Sequence, residues 1–318
     1  MSEAPTKPRR RWFRFSLRTL LLLVAIIGVP LGMKMNRVRN QRLVVAELRR
    51  LNAQIMYDYE DTRTKGVQTV VNPPQIPGPA WLRRLLGDEY FVEVISVRLD
   101  GPKVTDETVA SISKLPNLRS ITLDYADKIS DKGLAHLEGM QLEGLGLTYC
   151  PGISDEGLAH LARMQDLESL ALFSDRITSA GLERLTGLKR LKILSVSGRI
   201  TDSYLEQVSK LSSLEEFLVY GVAEISDIGL GHIGKLTELR GLHLLVAIDG
   251  SDVENHDCMK VTDVGLSQLY GLKKLKLLQI RTSLVTPTGI EKLQEALQHC
   301  TINWNNCSDG SVRVLPGH

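Results

Sequence analysis

From residue 94 onward, the hydrophobic positions of this chain alternate between two spacings. In each unit, apolar residues first occupy every second position, as Leu170 and Leu172 do, which is the spacing of a half-buried strand. They then occur three or four positions apart, as in Leu182 and Leu185, which is typical of an amphipathic helix. A Ser or Thr, usually followed by Asp, stands where each helix should begin, as expected of a helix N-cap. Each unit is therefore predicted to contain one strand followed by one helix.

Eight such units follow one another along the chain. Their period is 23–25 residues, except for the unit from Leu239 to Lys274, which spans 36. One unit cannot bury its apolar face alone, whereas stacked neighbours bury their faces jointly. The prediction for residues 92–302 is an α/β solenoid, with a curved parallel sheet on the concave side and helices on the convex side.

The unit LEGLGLTYCPGISDEGLAHL, beginning at Leu142, shows the repeat most fully. It resembles the cysteine-containing class of leucine-rich repeats, with Cys150 in the cysteine position. Six units share a Gly in the helical half, and Thr108 and Tyr204 replace it in two others. The chain also resembles bacterial membrane-anchored leucine-rich-repeat proteins. In eukaryotes, such repeats often follow an F-box in substrate receptors of ubiquitin ligases, and no F-box is recognisable here. The resemblance implies protein binding without naming a partner.

An uncharged stretch of fifteen residues, Thr19–Met33, precedes the repeats. A full membrane span needs about 17–25 residues, but the upstream aromatic residue Trp12 and the arginines Arg14 and Arg18 can lengthen it at the headgroup level. We predict an uncleaved, single-pass N-terminal membrane helix over 19–33, with membrane contact through residues 12–33. A cleavable signal peptide is the alternative, although the small-residue cleavage pattern is poor.

The charge is distributed unevenly between the N-terminus and the rest of the chain. Residues 1–50 carry twelve Lys and Arg against two Glu, a net charge of +10, so the remaining residues carry −8 of the total of +2. An acidic body argues against nucleic acid as a partner. Six basic residues lie on each side of the apolar stretch, so the positive-inside rule does not decide the orientation. Keeping the basic tail, residues 1–18, inside is the easier arrangement, which predicts an extracytoplasmic repeat domain.

The remaining segments are predicted to be ends and an insertion. Residues 34–91 are expected to form a tether and an N-terminal cap, and residues 303–318 a C-terminal cap and tail, with Trp304 covering the core. The long unit contains an acidic insertion at 246–260, whose spacing matches no calcium-binding loop. We expect it to be a solvated loop and a candidate partner contact. Cys300 and Cys307 are close enough in sequence to form a bridge.

The sequence contains no motif that indicates catalysis. A Walker loop, a nucleophile elbow, an H-E-x-x-H helix and paired zinc-binding cysteines are all missing. His136, His160 and His232 occupy the same position of three units, so repeat register explains their recurrence. We therefore predict a protein that is not an enzyme, with no catalytic residue, metal, cofactor or small-molecule substrate.

The outward strand positions offer a candidate binding surface on the concave face. Four aromatic residues recur near strand ends, and aromatic residues and arginine dominate interface energetics. Small residues such as Gly144, Gly146 and Ala171 would let the backbone of a partner approach. The alternative is that the aromatic residues only pack at the edge between strand and loop. The predicted ligand-binding residues are Arg98, Asp124, Tyr125, Tyr149, Phe173, Tyr220, His243 and Arg281.

These features favour a non-enzymatic protein-binding or scaffold module, anchored to a membrane and binding a protein or peptide on its concave face. A cytoplasmic-side adaptor that recruits proteins for modification is an alternative hypothesis, by analogy with F-box receptors. A structural component of the cell envelope is another.

Overall fold

The computed structural model describes residues 17–61, 75–221, 223–244, 259–306 and 310–317, with only the backbone of residues 17–21, 23 and 223. The strands are β1 (Gln54–Tyr57), β2 (Val94–Asp100), β3 (Ser120–Asp124), β4 (Gly144–Thr148), β5 (Ser169–Phe173), β6 (Ile193–Ser197), β7 (Ile200–Thr201), β8 (Glu216–Tyr220), β9 (Ala223–Glu224), β10 (Gly241–Leu244), β11 (Leu277–Arg281), β12 (Thr301–Asn305) and β13 (Val312–Leu315).

The helices alternate with the strands through the repeats. They are α1 (Leu17–Arg50), α2 (Ala80–Leu86), α3 (Asp106–Ile112), α4 (Asp131–Ala135), α5 (Leu158–Leu161), α6 (Ser179–Leu185), α7 (Asp202–Val208), α8 (Asp227–Ile233), α9 (Asp263–Ser267) and α10 (Pro287–Ala296).

One sheet of eleven strands runs the length of the stack in the order β1-β2-β3-β4-β5-β6-β8-β10-β11-β12-β13. Neighbours from β2 to β12 are parallel, whereas β1 and β13 pair antiparallel at the two ends. The short strands β7 and β9 form a separate parallel pair. Spatial order follows chain order because each helix returns the chain to the start of the next strand. The predicted α/β solenoid with a mostly parallel sheet is confirmed.

The alternation along each strand separates a buried face from an open one. In β5, Leu170 and Leu172 are buried, while Ser169, Ala171 and Phe173 are partly exposed. The same alternation recurs from β2 to β12, and the inward residues join one continuous aliphatic core. We call the other side of the sheet, which the sequence predicts to be concave, the open sheet face.

The aspartates at the helix starts connect one repeat to the next. Each accepts a hydrogen bond from the backbone N–H and another from the hydroxyl of the N-cap Ser or Thr in the following unit, at 2.5–2.9 Å. The pairs are Asp106–Ser130, Asp131–Ser154, Asp155–Thr178, Asp202–Ser226, Asp227–Thr262 and Asp263–Thr286. The sequence predicted only that these carboxylates favour their own helix ends; their role between repeats is an addition.

The repeated Gly leaves room for this carboxylate. A Cβ atom at Gly181 would lie well inside van der Waals contact with the Oδ1 atom of Asp155, and the other five repeat glycines meet the preceding aspartate in the same way. The two units that lack this Gly also lack an aspartate in the preceding unit. Thr108 stands in the first unit, and Tyr204 follows a unit that has Ser179 in place of Asp.

The N-terminal end of the stack is covered by the second half of α1. Val38, Val44, Val45 and Leu48 are buried there, and Gln41 donates to the Val92 carbonyl oxygen at 2.9 Å. Helix α1 is continuous over 34 residues and contains Pro30, so residues 34–40, expected as a tether, are helical.

The first half of α1 contains the segment predicted to be membrane-spanning. Its described apolar side chains are exposed, as at Leu22, Ile26 and Val29. Within the part of the chain that the structure describes, no helix is long and apolar enough to cross a membrane. Residues 1–16, which include Trp12 and most of the basic tail, lie outside the described residues. The membrane segment therefore stays a prediction.

The C-terminal end closes on Trp304, which is buried in β12 and donates from Nε1 to the Thr282 carbonyl oxygen at 3.3 Å. Arg313 of β13 lies over its ring. Cys300 is a buried free thiol. Most of the predicted insertion at 246–260, together with Cys307, lies outside the described residues.

Candidate functional site

The four predicted aromatic residues form one continuous row at the strand ends of the open sheet face. We call Tyr125, Tyr149, Phe173 and Tyr220 the aromatic row. The rings of Tyr125 and Tyr149 stack with centroids 4.7 Å apart and planes at 11°. Phe173 meets Tyr149 edge-on at 6.3 Å and 88°, and Tyr220 at 5.2 Å and 49°. The row therefore extends across five neighbouring strands, from β3 to β8.

These rings come from two different positions of the repeat. Phe173 and Tyr220 are the last residues of β5 and β8. Tyr125 and Tyr149 come one residue after β3 and β4, in the left-handed backbone region with φ of 52° and 53°. Gly198 stands in the same place after β6 and also has positive φ. The left-handed region costs a residue other than glycine about 1–2 kcal/mol, so two tyrosines here are a local strain.

Backbone hydrogen bonds hold the two tyrosines in this strained position. The Tyr125 N–H donates to the Thr148 carbonyl oxygen at 2.8 Å, and the Tyr149 N–H donates to that of Phe173 at 3.0 Å. Each bond continues the strand pairing by one residue. Farther along, Ser197 stands between Phe173 and Tyr220 in the strand register, and its small side chain lets those two rings meet.

Small side chains form the floor beside the aromatic row. Thr122, Gly146, Ala171 and Ser195 occupy matching central positions of β3, β4, β5 and β6. A shallow depression of about 390 Å³ lies over this part of the sheet. With so little side-chain volume in the way, a partner can come close to the sheet backbone.

Charged side chains line the opposite edge of the depression, where the strands start. They form ion pairs with one another. Arg119 lies 3.8 Å from Glu143, and Lys192 lies 2.8 Å from Glu168, measured between side-chain N and O atoms. Arg190 also reaches Glu168 at 2.8 Å, and hydrogen bonds from Lys192 and Arg190 lower the pKa of the Glu168 carboxyl. We call Arg119, Glu143, Glu168 and Lys192 the charged edge.

The sequence interpretation missed the charged edge. Its members all hold the second position of their unit, directly after the first leucine. That periodicity was visible, but the strand register is needed to show that opposite charges stand side by side.

The other predicted residues lie at different distances from the aromatic row. Asp124 directly precedes Tyr125 and is buried, and its Oδ2 atom lies 2.7 Å from Nη2 of Arg98. His243 is central in β10, where its Nδ1 atom lies 2.9 Å from Oε1 of Gln279. Arg281 ends β11, beyond residues 245–258, which lie outside the described residues. The structure thus brings Arg98 and Asp124 to the row and places His243 and Arg281 farther along the sheet.

The described cysteines and two of the described histidines are buried or paired away from the open sheet face. Burial raises the pKa of the Cys150 and Cys300 thiols to about 11. His160 lies 3.1 Å from a Glu138 carboxylate oxygen, and His232 lies 3.3 Å from Nζ of Lys235. Within the described ranges, no three His, Cys, Asp or Glu side chains lie together in a way that could hold a metal ion. What the described surface offers is contact area and hydrogen-bonding groups, which are the requirements of binding.

The repeated strand–helix unit, the parallel register and the ladder of buried leucines together decide the architecture. The fold is a leucine-rich-repeat solenoid. No protein-family model matches the sequence, and no curated protein matches it. Solved structures similar to this leucine-rich-repeat chain include an internalin C2 from Listeria monocytogenes, at 18% identity and a TM-score of 0.46, covering 67% of this chain and 81% of that one.

Two further solved structures are also similar to this chain. An internalin F from Listeria monocytogenes is 16% identical with a TM-score of 0.29, covering 71% of this chain and 80% of that one. The Rad7 and Elc1 complex of yeast gives 16% identity and a TM-score of 0.43, covering 92% of this chain and 74% of that one.

Proposed function

We propose that this protein is a non-enzymatic scaffold that binds a protein or peptide partner on the open sheet face. The observation that carries the proposal is the aromatic row beside a floor of small side chains. Tyrosine and phenylalanine supply large contact areas with few rotatable bonds, and they are enriched where interfaces gain most of their free energy.

The exposure of the row favours binding over simple packing. Tyr125 is 57% exposed and Tyr149 is 38% exposed, although both rings stack on a neighbour. Aromatic rings that serve only to fill an edge gain stability by being covered. Here two of them stay open to solvent and occupy left-handed backbone that glycine would adopt at lower cost.

We further propose that the protein is anchored to a membrane by residues 12–33, with the repeat domain outside the cytoplasm. The uncharged stretch 19–33 and the exposed apolar side chains along the first half of α1 support the anchor. The orientation rests on keeping the basic tail, residues 1–18, inside. Because α1 continues into the N-terminal cap, an anchor would be joined to the solenoid by helix rather than by a flexible linker.

Site-specific photo-cross-linking tests the binding surface. A cross-linking residue at Ser195, on the floor of the open sheet face, should capture a partner in cells. The same residue at Ala180, exposed on the helix side of the neighbouring repeat, serves as the matched control. The proposal requires that the Ser195 adduct disappears when Tyr125 and Tyr149 are both replaced by Gly. Equal capture from both faces, or none from Ser195, would contradict it.

Protease protection tests the orientation separately. In sealed vesicles with the cytoplasmic face outward, added protease should leave the repeat domain intact until detergent is added. Digestion without detergent would place the repeat domain on the cytoplasmic side. A chain that does not float with the vesicles has no anchor.

A further inference from the structure

We propose that the short helix α2 is a second membrane contact, which lies in the headgroup layer of an anionic bilayer beside the point where α1 leaves the membrane. The inference rests on the proposed anchor and adds to it a lipid surface and the residues that meet it. Those residues are Trp81, Arg84 and Leu85, which we call the outer face of α2.

The outer face of α2 is largely apolar and is not covered by the described part of the chain. Trp81 is 67% exposed and Leu85 is 73% exposed, and Arg84 is exposed beside them. Residues three and four positions apart lie on one side of a helix, so these side chains share a face. Leu82 and Leu86, on the other side, are half-buried against the protein. The helix therefore packs inward through its leucines and leaves a tryptophan and a leucine open to the surroundings.

The orientation of α2 is fixed at both of its ends. At the C-terminal end, the Leu86 carbonyl oxygen accepts a hydrogen bond from Nη2 of Arg42 in α1, at 3.0 Å. Before the N-terminal end, Gly78 has a φ of 93° and lies against the Phe91 ring, where a Cβ atom would come within 2.8 Å of a ring carbon. Turning the outer face inward would break the contacts at both ends.

These contacts place α2 close to the end of the uncharged stretch. Lys34 directly follows Met33, and its Nζ atom lies 5.1 Å from the centre of the Tyr90 ring, four residues after α2. Arg42, which holds Leu86, lies about 14 Å beyond Met33 along the helix. Fifteen helical residues span about 22 Å, so a centred bilayer with a core of about 30 Å and headgroup layers of about 6 Å ends about 10 Å beyond Met33. That level lies between the two points at which α1 holds α2 and the Tyr90 ring.

The charge around α2 complements an anionic lipid surface. Residues 34–50 and 80–91 together carry eight Lys and Arg against three Asp and Glu, whereas the chain from residue 51 onward is acidic overall. Two of the three acidic residues, Asp88 and Glu89, are already in ion pairs with arginines. The end of the solenoid nearest the proposed anchor is therefore positive, although the body of the protein is negative.

The basic side chains of this region are available to lipid phosphates. Lys34, Arg37, Arg39 and Arg84 are exposed, and no described acidic side chain forms an ion pair with them. Lys and Arg reach from a membrane-bound helix to the phosphates, while Trp lies at the headgroup level and Leu enters the boundary of the acyl chains. The outer face of α2 has one residue of each of these kinds, which is the composition of a membrane-surface helix.

Quenching of tryptophan fluorescence tests this contact. The full chain is reconstituted into vesicles of phosphatidylcholine with about one-third phosphatidylglycerol, in which the phosphatidylcholine is brominated near the glycerol end of its acyl chains. The Trp81 signal is the difference between the parent chain and Trp81→Phe, and we expect bromine to quench most of it. Ile228→Trp, made in the Trp81→Phe chain, is the matched control. It places an indole at a site on α8 that is 68% exposed, and its emission should not be quenched.

A second comparison tests the choice of lipid. Arg84→Gln should lower the ratio of membrane-bound to free α2 by about fivefold, the factor contributed by one basic residue near an anionic surface, and Trp81 should be quenched correspondingly less. In vesicles of phosphatidylcholine alone, quenching of Trp81 should be weaker and Arg84→Gln should change it little. Equal quenching with and without phosphatidylglycerol would overturn the anionic lipid as the partner.

Flotation of the same vesicles separates failure of this inference from failure of the anchor. If the chain floats but bromine does not quench Trp81, the anchor stands and the α2 contact is wrong. Emission that is blue-shifted yet unquenched would mean that another segment or a second copy of the chain covers Trp81, which also overturns the contact. A chain that does not float has no anchor, and the α2 contact fails with it.

Discussion

Asp155 accepts two hydrogen bonds from Thr178 of the next repeat, one from the backbone N–H at 2.7 Å and one from the hydroxyl at 2.5 Å. The same Thr178 hydroxyl accepts a hydrogen bond from the N–H of Ala180 and so caps α6. One carboxylate therefore fixes the residue that begins the following helix. The same pair of hydrogen bonds from an Asp to the N-cap residue of the next repeat recurs in six places. These bonds hold the repeats in register on the helix side, as strand pairing does on the sheet side.

We expect Asp155→Ala to destabilise the protein by about 1–3 kcal/mol. The change removes two charge-assisted hydrogen bonds and leaves the Thr178 N–H without its acceptor. Urea unfolding would measure the loss as a lower midpoint at an unchanged slope. Ser179→Ala, at the same position of the next unit, is the control and should cost a few tenths of a kcal/mol. Equal effects of the two substitutions would refute the role given to the carboxylate.

Ser179 and Tyr204 occur together because the small Ser179 leaves space for the Tyr204 side chain. This relationship gives a second prediction. Tyr204 occupies the position that is Gly in six units, and it is buried because the preceding unit has no aspartate there. Ser179→Asp should destabilise the natural chain, since the new carboxylate would meet the Cβ of Tyr204. In a Tyr204→Gly background, the same Ser179→Asp change should stabilise, because the Asp–Thr link to Thr201 can then form.

A double-mutant cycle of the four chains measures this reversal through their free energies of unfolding. Tyr204→Gly alone should be costly, by about 3–5 kcal/mol, because it removes a large buried side chain. The decisive result is whether Ser179→Asp lowers the free energy of unfolding in the natural chain and raises it in the Tyr204→Gly background. The same sign in both would show that aspartate and glycine are not coupled across the repeat boundary.

Much of the fold was predictable because its determinants are local. The alternation of Leu170 and Leu172 with Ser169, Ala171 and Phe173 identifies the strand and its buried face. Likewise, Thr178 and its counterparts identify the helix starts. The Asp–Gly coupling was not predicted because its two members lie in different repeats. The link from Asp227 to Thr262 even spans 35 residues, across the long unit, and is otherwise the same as the others.

The candidate site was only partly predictable for a similar reason. The four aromatic residues stood out by their recurrence, but sequence spacing treats Tyr125 and Phe173 as equivalent although they occupy different register positions. That their rings meet depends on the left-handed backbone at Tyr125 and Tyr149. The glycines in the same place of other units, Gly101, Gly198 and Gly221, were the sequence signal for that backbone. The ion pairs of the charged edge required the register between strands.

Glu168 gives a prediction of pH dependence. Its pKa is lowered by hydrogen bonds from Lys192 and Arg190, so the stability it contributes is fully present above its usual pKa of 4.5 and is lost as the pH falls through the lower native value. Glu168→Gln should therefore cost about 0.5 kcal/mol at pH 7, typical of surface pairs, and much less at acidic pH. Urea titrations of both chains between pH 7 and pH 3 measure the difference. Glu206→Gln, exposed on α7, is the control, and an equal pH dependence there would contradict the role of the pair.

The left-handed backbone at Tyr125 predicts an unusual order of stabilities. Tyr125→Gly loses ring stacking, about 0.5–1.5 kcal/mol, but relieves a strain of about 1–2 kcal/mol, and glycine costs about 0.5–1 kcal/mol in the unfolded chain. These contributions nearly cancel, and the contact area lost with a ring that is 57% exposed adds a modest cost, so the urea midpoint should fall only slightly. Tyr125→Ala loses the stacking and keeps the strain, so it should be less stable than the Gly variant.

Ser174 is the matched control, because it follows β5 as Tyr125 follows β3 but does not have positive φ. Ser174→Ala and Ser174→Gly both remove the hydrogen bonds of the Ser174 hydroxyl with Ile153 and Arg176. With no strain to relieve, the Gly variant should be the less stable of the two. If Tyr125→Gly is more stable than Tyr125→Ala, while Ser174→Gly is less stable than Ser174→Ala, then Tyr125 is retained at a cost to stability. If Tyr125→Gly instead lost 3 kcal/mol or so, as a buried aromatic residue would, the ring would be a packing element. A tyrosine that the fold does not need at this place is one whose exposed ring is available to a partner.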